Sequence, residues 1–112
     1  MEIAESTHHG VLVLSPKGRL DATGSPDLER VVRARLADGH TRMVLDLGAV
    51  DYVSSAGLRI LLLAGKALKA ERGDVALCGV NDVVMEALRI SGFNRIFTIL
   101  PSVSQAIHQL GA

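Results

Sequence analysis

The chain has 112 residues, a length that suits one domain with a single hydrophobic core and is too short for two. Its twelve basic and twelve acidic side chains cancel, and only 3% of its residues are aromatic. A neutral chain with so few stacking groups lacks what nucleic-acid binding requires, so we expect no nucleic-acid partner.

The first third of the chain predicts a β-hairpin, a loop and a helix. In chain order the first segments are a strand, a turn, a second strand and a loop, at Ala4–Thr7, His8–Gly10, Val11–Leu14 and Gly18–Gly24. Ser25 then begins a helix as its cap, and Pro26 follows at the first helical position, where its missing N–H is not needed. Gly39 ends this helix.

The remaining segments alternate between strands and helices. In chain order we predict the strand Met43–Leu47, the loop Gly48–Val53, the helix Ser55–Glu71, the strand Val75–Val80, a helix capped by Asn81 and followed by Gly92, the strand Ile96–Leu100 and a helix capped by Ser102. This alternation predicts an α/β fold with a partly parallel sheet of four to five strands and about four helices.

Cysteine content and hydropathy indicate where the protein works. The single cysteine, Cys78, excludes an internal disulfide, suits a reducing compartment and is predicted to be buried among apolar neighbours. The start of the chain lacks a signal pattern, and the longest apolar run, Ile60–Gly65, is too short to cross a bilayer. We therefore expect one domain over residues 1–112, cytoplasmic and without a membrane partner.

Two adjacent serines, Ser54 and Ser55, open the predicted second helix directly after an apolar strand and a short loop. A serine there lies beside unpaired backbone N–H groups. One interpretation is a simple helix cap. The other is a charge switch, because a phosphate added at a helix N-terminus meets a favourable dipole and leaves the domain folded.

The same strand, turn and serine are compatible with the nucleophile elbow of a hydrolase. Ser55 has Gly57 two residues later, but Val53 occupies the position of the earlier glycine, and the only later histidine, His108, lies in a predicted amphipathic helix. No HxxxH or CxxC spacing and no phosphate-binding glycine loop is present. We predict that the protein is not an enzyme and uses no metal and no cofactor.

The second helix carries more apolar residues than one buried face needs. A first stripe belongs to the core and comprises Leu58, Leu61, Leu62, Gly65 and Leu68. A second stripe comprises Ile60, Leu63, Ala64 and Ala67. Neighbouring elements could bury this second stripe, or it could form a docking face that begins one turn from Ser55.

Three motifs follow one another in a recognisable order. They are Gly18–Asp21, then Leu45–Leu47 with Val50 and Ser54–Leu58, and finally Ser91–Phe93 before the last strand. With these motifs the chain resembles the bacterial anti-sigma factor antagonist family, the small STAS domains typified by sporulation and stress-response antagonists. The resemblance extends over nearly the whole chain and implies a STAS-like mixed sheet.

The resemblance also implies a mechanism. In the family, the unmodified antagonist binds an anti-sigma factor that is also a serine kinase of the ATPase fold, and the sigma factor is released. The kinase then phosphorylates a serine of the antagonist, which ends the association, and a serine phosphatase reverses the modification. No small-molecule cofactor on the antagonist is implied.

Alignment to Gly57 implies that Ser55 is the acceptor, with Ser54 as the alternative. Ser54 stands where the family commonly has Asp, and Ala56 where it often has Ser or Thr. By resemblance, Asp21 and Thr23 lie near the acceptor. Together with the second helix stripe, this gives the expected partner-binding residues Asp21, Thr23, Ser54, Ala56, Gly57, Ile60 and Leu63.

Two other functions remain open. The first is a STAS adaptor or scaffold that is not phosphorylated, such as a subunit of a lipid-transport ATPase complex. The second is a small enzyme that uses Ser55 as a nucleophile.

Overall fold

A computed structural model describes residues 1–111. Strands and helices alternate after an initial hairpin, and a short 3-10 turn at Phe93–Arg95 precedes the last strand. The elements are β1 Glu2–His8, β2 Val11–Leu20, α1 Ser25–Ala37, β3 Arg42–Asp46, β4 Val50–Val53, α2 Ser55–Ala70, β5 Asp74–Cys78, α3 Asp82–Ser91, β6 Thr98–Leu100 and α4 Val103–Gly111.

Strand β2 is the branch point of the sheet. It pairs antiparallel with β1 on one side, and its residues Leu12–Leu14 pair parallel with β3 on the other. Its last residues, Gly18–Leu20, pair parallel with β4 after a shift in register at Gly18. Strands β5 and β6 continue in parallel beyond β3. Because β2 and β4 run in parallel, their carboxyl ends lie at the same edge of the sheet.

Both faces of the sheet are covered, which explains why its strands are apolar almost throughout. One face packs against α1, α2 and α3 and includes Leu14, Leu45 and Leu77. The other face packs against α4 and includes Val44 and Cys78. Cys78 is fully buried, as its neighbours predict, and burial together with the nearby Asp46 carboxylate raises the pKa of its thiol to about 11.

The α/β class, the four helices and the mixed sheet agree with the sequence prediction, but the number of strands does not. Within residues 1–111 the sheet has six strands, because Val50–Val53 forms β4 by pairing with Gly18–Leu20, the extended end of β2. Both segments were predicted as loops, because glycine and charged residues interrupt their apolar pattern. Pairing between the two segments, rather than local propensity, makes them strands.

The start of α1 also differs from the prediction. Gly24, rather than Ser25, occupies the N-cap, and Ser25 is the first helical residue. Ser25 is 1% exposed and its backbone N–H donates to the Asp21 carbonyl oxygen at 2.9 Å. Its hydroxyl therefore faces the interior rather than the unpaired N–H groups of the first turn. Pro26 does lie in the first turn, as predicted.

None of the helices in residues 1–111 is both long and apolar enough to cross a membrane.

Asn81 connects α3 to the branch of the sheet. Its side-chain oxygen accepts a hydrogen bond from the Val84 N–H at 2.8 Å, which confirms the predicted cap. Its side-chain nitrogen donates to the Val50 carbonyl oxygen at 3.0 Å. One side chain thus stabilises the first turn of α3 and holds that turn against β4.

We expect Asn81→Ala to lower the free energy of unfolding by about 2 kcal/mol, since it removes a cap and a second hydrogen bond of about 1 kcal/mol each. Asn81→Ser keeps a capping oxygen and removes the donor to Val50 without placing a charge against its carbonyl oxygen, so it should lose about half as much. Urea denaturation followed by circular dichroism measures both variants. Wild-type stability in Asn81→Ala would contradict this account.

Candidate functional site

The adjacent carboxyl ends of β2 and β4 determine where α2 begins. Leu20 and Val53 are paired as the last residues of these two strands. The next residue, Ser54, donates its backbone N–H to the Leu20 carbonyl oxygen at 2.9 Å. Helix α2 therefore starts at the end of β2, although 34 residues separate Leu20 from Ser54 along the chain.

Ser54 is the N-cap of α2, and its hydroxyl both accepts and donates a hydrogen bond. The hydroxyl accepts a hydrogen bond from the Gly57 N–H at 3.3 Å and donates to the Leu20 carbonyl oxygen at 3.3 Å. The side chain is half-buried. Ser54 thus has a structural role, because it satisfies one N–H of the first turn and ties the helix to the sheet.

Ser55 differs from its neighbour in every one of these respects. It is the first residue of α2 and is exposed. Its hydroxyl makes no hydrogen bond to any other part of the described chain. A group attached to this hydroxyl would lie at the positive end of the helix dipole without breaking an existing contact.

Gly57 allows α2 to approach the sheet this closely. A Cβ at this position would lie 2.9 Å from both the Leu20 Cβ and the Val53 Cγ1, and closer still to the Leu20 carbonyl oxygen. Gly57 itself is buried. It lies beneath the serines and positions them, whereas Ala56 is half-buried beside them.

The loop that follows β2 is held in place by Asp21. Its carboxylate accepts hydrogen bonds from the backbone N–H groups of Gly24 at 2.9 Å and Thr23 at 3.0 Å. The bond from Gly24 is the main reason that the pKa of Asp21 lies below its ordinary value. Thr23 is exposed. Because Leu20 directly contacts Ser54, this loop leaves the sheet beside the start of α2.

Arg19 and Tyr52 complete the surface, and sequence reasoning did not assign a role to either. The Arg19 guanidinium lies over the Tyr52 ring, 4.3 Å from its centroid. Its Nε is 3.5 Å from the Asp21 carboxylate. Tyr52 is 38% exposed, so part of its ring lies at the surface, two residues before Ser54. The stacking of Arg19 on Tyr52 depends on the register between β2 and β4, which local patterns do not reveal.

The second apolar stripe of α2 is not a free docking face. Ile60 is only 3% exposed and Ala64 only 4%, and both lie against α1 near Val32. Leu63 is half-buried in the same contact. The void left between the two helices is about 10 Å³, which is too small for any ligand. The expectation that Ile60 faces a partner is therefore wrong, because α1 covers it.

Hydrolytic use of Ser55 finds no support in the geometry. His108 lies on α4, which covers the opposite face of the sheet from α2. A nucleophile and its general base must be within hydrogen-bond distance, and a sheet separates these two. The described part of the chain also holds no group of three or more His, Cys, Asp or Glu side chains able to bind a metal ion.

Comparison with known proteins identifies the family. The model of the STAS domain matches residues 2–106 of this chain. The chain belongs to the STAS domain family. This confirms the resemblance that the three sequence motifs indicated, and it agrees with a sheet in which one hairpin precedes parallel strands.

Relatives of this STAS domain carry related names. BtrV of Bordetella bronchiseptica, provisionally named an anti-sigma factor antagonist, is 37% identical over 102 residues, covering 91% of this chain and 88% of BtrV. The crystal structure of an anti-sigma factor antagonist from Mycobacterium paratuberculosis is 27% identical, with a TM-score of 0.90. The match covers 99% of this chain and 94% of that one. Phosphorylated SpoIIAA of Bacillus shares the fold, at 15% identity and a TM-score of 0.75, covering 96% and 98%.

The different roles of the two serines can be separated by their effects on stability. We expect Ser54→Ala to lower the free energy of unfolding by about 1–2 kcal/mol, because it removes the cap of α2 and the hydrogen bond from its hydroxyl to the Leu20 carbonyl oxygen. Ser55→Ala should change it by less than about 0.5 kcal/mol, because the exposed hydroxyl makes no contact. Thermal and urea denaturation of both variants test this. Equal losses would mean that Ser55 also has a structural role.

Proposed function

We propose that this STAS domain is an anti-sigma factor antagonist that phosphorylation of Ser55 switches off. The unmodified protein binds an anti-sigma factor, and the sigma factor is released. The partner is also a serine kinase of the ATPase fold, and a serine phosphatase restores the unmodified form. Names of BtrV and of the mycobacterial structure support the antagonist role, because both similarities extend over nine-tenths or more of this chain.

A single observation carries the choice of acceptor. Of the two adjacent serines, Ser54 uses its hydroxyl as donor and acceptor, whereas Ser55 is exposed and makes no such bond. Phosphorylation of Ser54 would break its bond to the Leu20 carbonyl oxygen and place charge at a half-buried site. Phosphorylation of Ser55 breaks no hydrogen bond within the described chain. The kinase therefore acts on Ser55.

The folded state accommodates a phosphate on Ser55. The dipole of α2 stabilises a negative charge there by about 0.3–1 kcal/mol. Arg59 lies four residues later on the same helix, is exposed, and has no carboxylate within salt-bridge distance among the described residues. Residues spaced four apart on a helix lie close enough to form an ion pair, which adds about 0.2–0.5 kcal/mol. The modification therefore leaves the fold intact.

A bound partner does not accommodate the phosphate in the same way. The Asp21 carboxylate lies beside the start of α2, and Arg19, near the end of β2, already contacts Asp21 and Tyr52. Desolvation of nearly two further negative charges at this surface costs on the order of 4 kcal/mol, which weakens binding about a thousandfold. This desolvation cost exceeds the stabilisation by the helix dipole, so phosphorylation ends the association.

We expect the cognate anti-sigma factor kinase and ATP to add a single phosphate, located on Ser55 by peptide mass spectrometry. Ser55→Ala should accept none, whereas Ser54→Ala should still be modified. A phosphate found on Ser54 alone would contradict the residue assignment. If the chain stays unmodified while the same kinase phosphorylates a known substrate, the result favours the adaptor function instead.

Binding should respond to charge at Ser55 and not to loss of its hydroxyl. We expect Ser55→Ala to bind the anti-sigma factor like the wild type, and Ser55→Asp to bind on the order of tenfold more weakly, since a carboxylate carries only part of a phosphate's charge. Isothermal titration calorimetry measures both affinities.

A matched control is Ser104→Asp, which places the same charge in the first turn of α4, on the opposite face of the sheet. It should bind like the wild type. Equal weakening by Ser104→Asp and Ser55→Asp would mean that net charge, rather than a local interface, governs binding.

A further inference from the structure

A groove lies at the far end of α2 from Ser55. It is formed by the second half of α2, the start of β5 and the segment that leads into β6, and its volume is about 380 Å³. Sites for small molecules begin at about this size. Ser55 and Lys66 are separated by about 16 Å along the helix at 1.5 Å per residue, so the groove is distinct from the surface around the serines.

The floor of the groove is apolar. Leu62, Val75 and Phe97 line it, and Ile96, which is 52% exposed, forms one wall. The Phe97 ring lies directly against α2, because a Cβ on Gly65 would be 3.0 Å from its Cε1. An exposed isoleucine beside a recessed aromatic ring is the kind of apolar surface that an occupant would cover.

The rim of the groove is positively charged. Lys66 and Lys69 both line it, lie one helical turn apart and are exposed. Neither lies within salt-bridge distance of a carboxylate in the described chain, whereas Arg33 and Arg35 on α1 each have a carboxylate partner at 3.0 Å or less. Asp74, the single acid at the groove, offsets only one of the two lysines.

We propose that this groove binds a single-chain anionic amphiphile, a free acid whose apolar chain lies over Phe97 and whose charged group is held by Lys66 and Lys69. The choice of occupant rests on charge and volume: two lysines one helical turn apart lie on the rim beside an apolar floor, within a volume of about 380 Å³. A single hydrocarbon chain fits, and the two ammonium groups complement one acidic head group.

Decanoate, used below its micelle concentration, is a suitable probe. Titration into the 15N-labelled protein should shift backbone amide signals of the groove, and those near Ser55 should stay unchanged. Decyltrimethylammonium, with the same chain and the opposite charge, should bind about tenfold more weakly, and acetate should not bind measurably. Equal binding of the two amphiphiles, or shifts spread over the whole surface, would overturn the proposal.

Two variants test the charged rim and the apolar wall. Lys66→Gln/Lys69→Gln should weaken decanoate binding about tenfold, whereas Lys17→Gln/Arg89→Gln, which removes two exposed cations away from the groove, should leave it unchanged. Ile96→Ser should weaken binding about threefold or more. All three variants change exposed side chains, and their amide spectra report whether the fold is retained. Equal affinities in both double variants would refute a role for the lysines.

Vesicles of phosphatidylglycerol separate a free amphiphile from a membrane surface with the same anionic chemistry. We expect the protein to remain in the supernatant after sedimentation with these vesicles, under conditions where decanoate is bound. If the protein sediments with the vesicles and Lys66→Gln/Lys69→Gln abolishes this sedimentation, the proposal of a free occupant is overturned. The groove would then bind a lipid head group.

Discussion

The close contact between the end of β2 and the first turn of α2 controls the geometry of the candidate site. The Leu20 carbonyl oxygen accepts hydrogen bonds from both the backbone and the hydroxyl of Ser54, and Gly57 has no side chain to prevent the approach. Any larger residue at position 57 would push α2 away from the sheet. This contact fixes which serine faces the sheet and which faces solvent.

Two chemically identical side chains consequently have different functions. Ser54 stabilises the helix through its cap, and Ser55 is exposed to solvent. The proposed switch gains from this separation, because modification of Ser55 would leave the structural hydroxyl of Ser54 unaltered. The loop held by Asp21 and the stacked pair of Arg19 and Tyr52 add a partly apolar surface next to the strand ends from which α2 begins.

Helix α2 is apolar on two sides because it lies between the sheet and α1. Its residues Leu61 and Leu68 face the sheet side of the core, and Ile60 and Ala64 contact α1. The apolar residues in the middle of the helix, Ile60–Gly65, are buried or half-buried, whereas exposed polar residues lie in its first turn and its second half. One end carries the exposed serine and the other carries the lysine-rimmed groove.

The sequence by itself determined the elements whose signals are local. The hairpin turn, the cap at Asn81, the helix periods and the buried strands follow from neighbouring residues and were predicted from them, and the three motifs indicated the family. Strand β4 was missed because its four residues become a strand only by pairing with β2.

Only the tertiary structure decided which apolar stripe is buried and which serine is free. Each answer depends on groups far apart in the chain: α1 covers Ile60, and the carbonyl of Leu20, 34 residues before Ser54, engages that hydroxyl rather than its neighbour. Helix periodicity specifies which residues share a face, but it carries no information about what packs against that face.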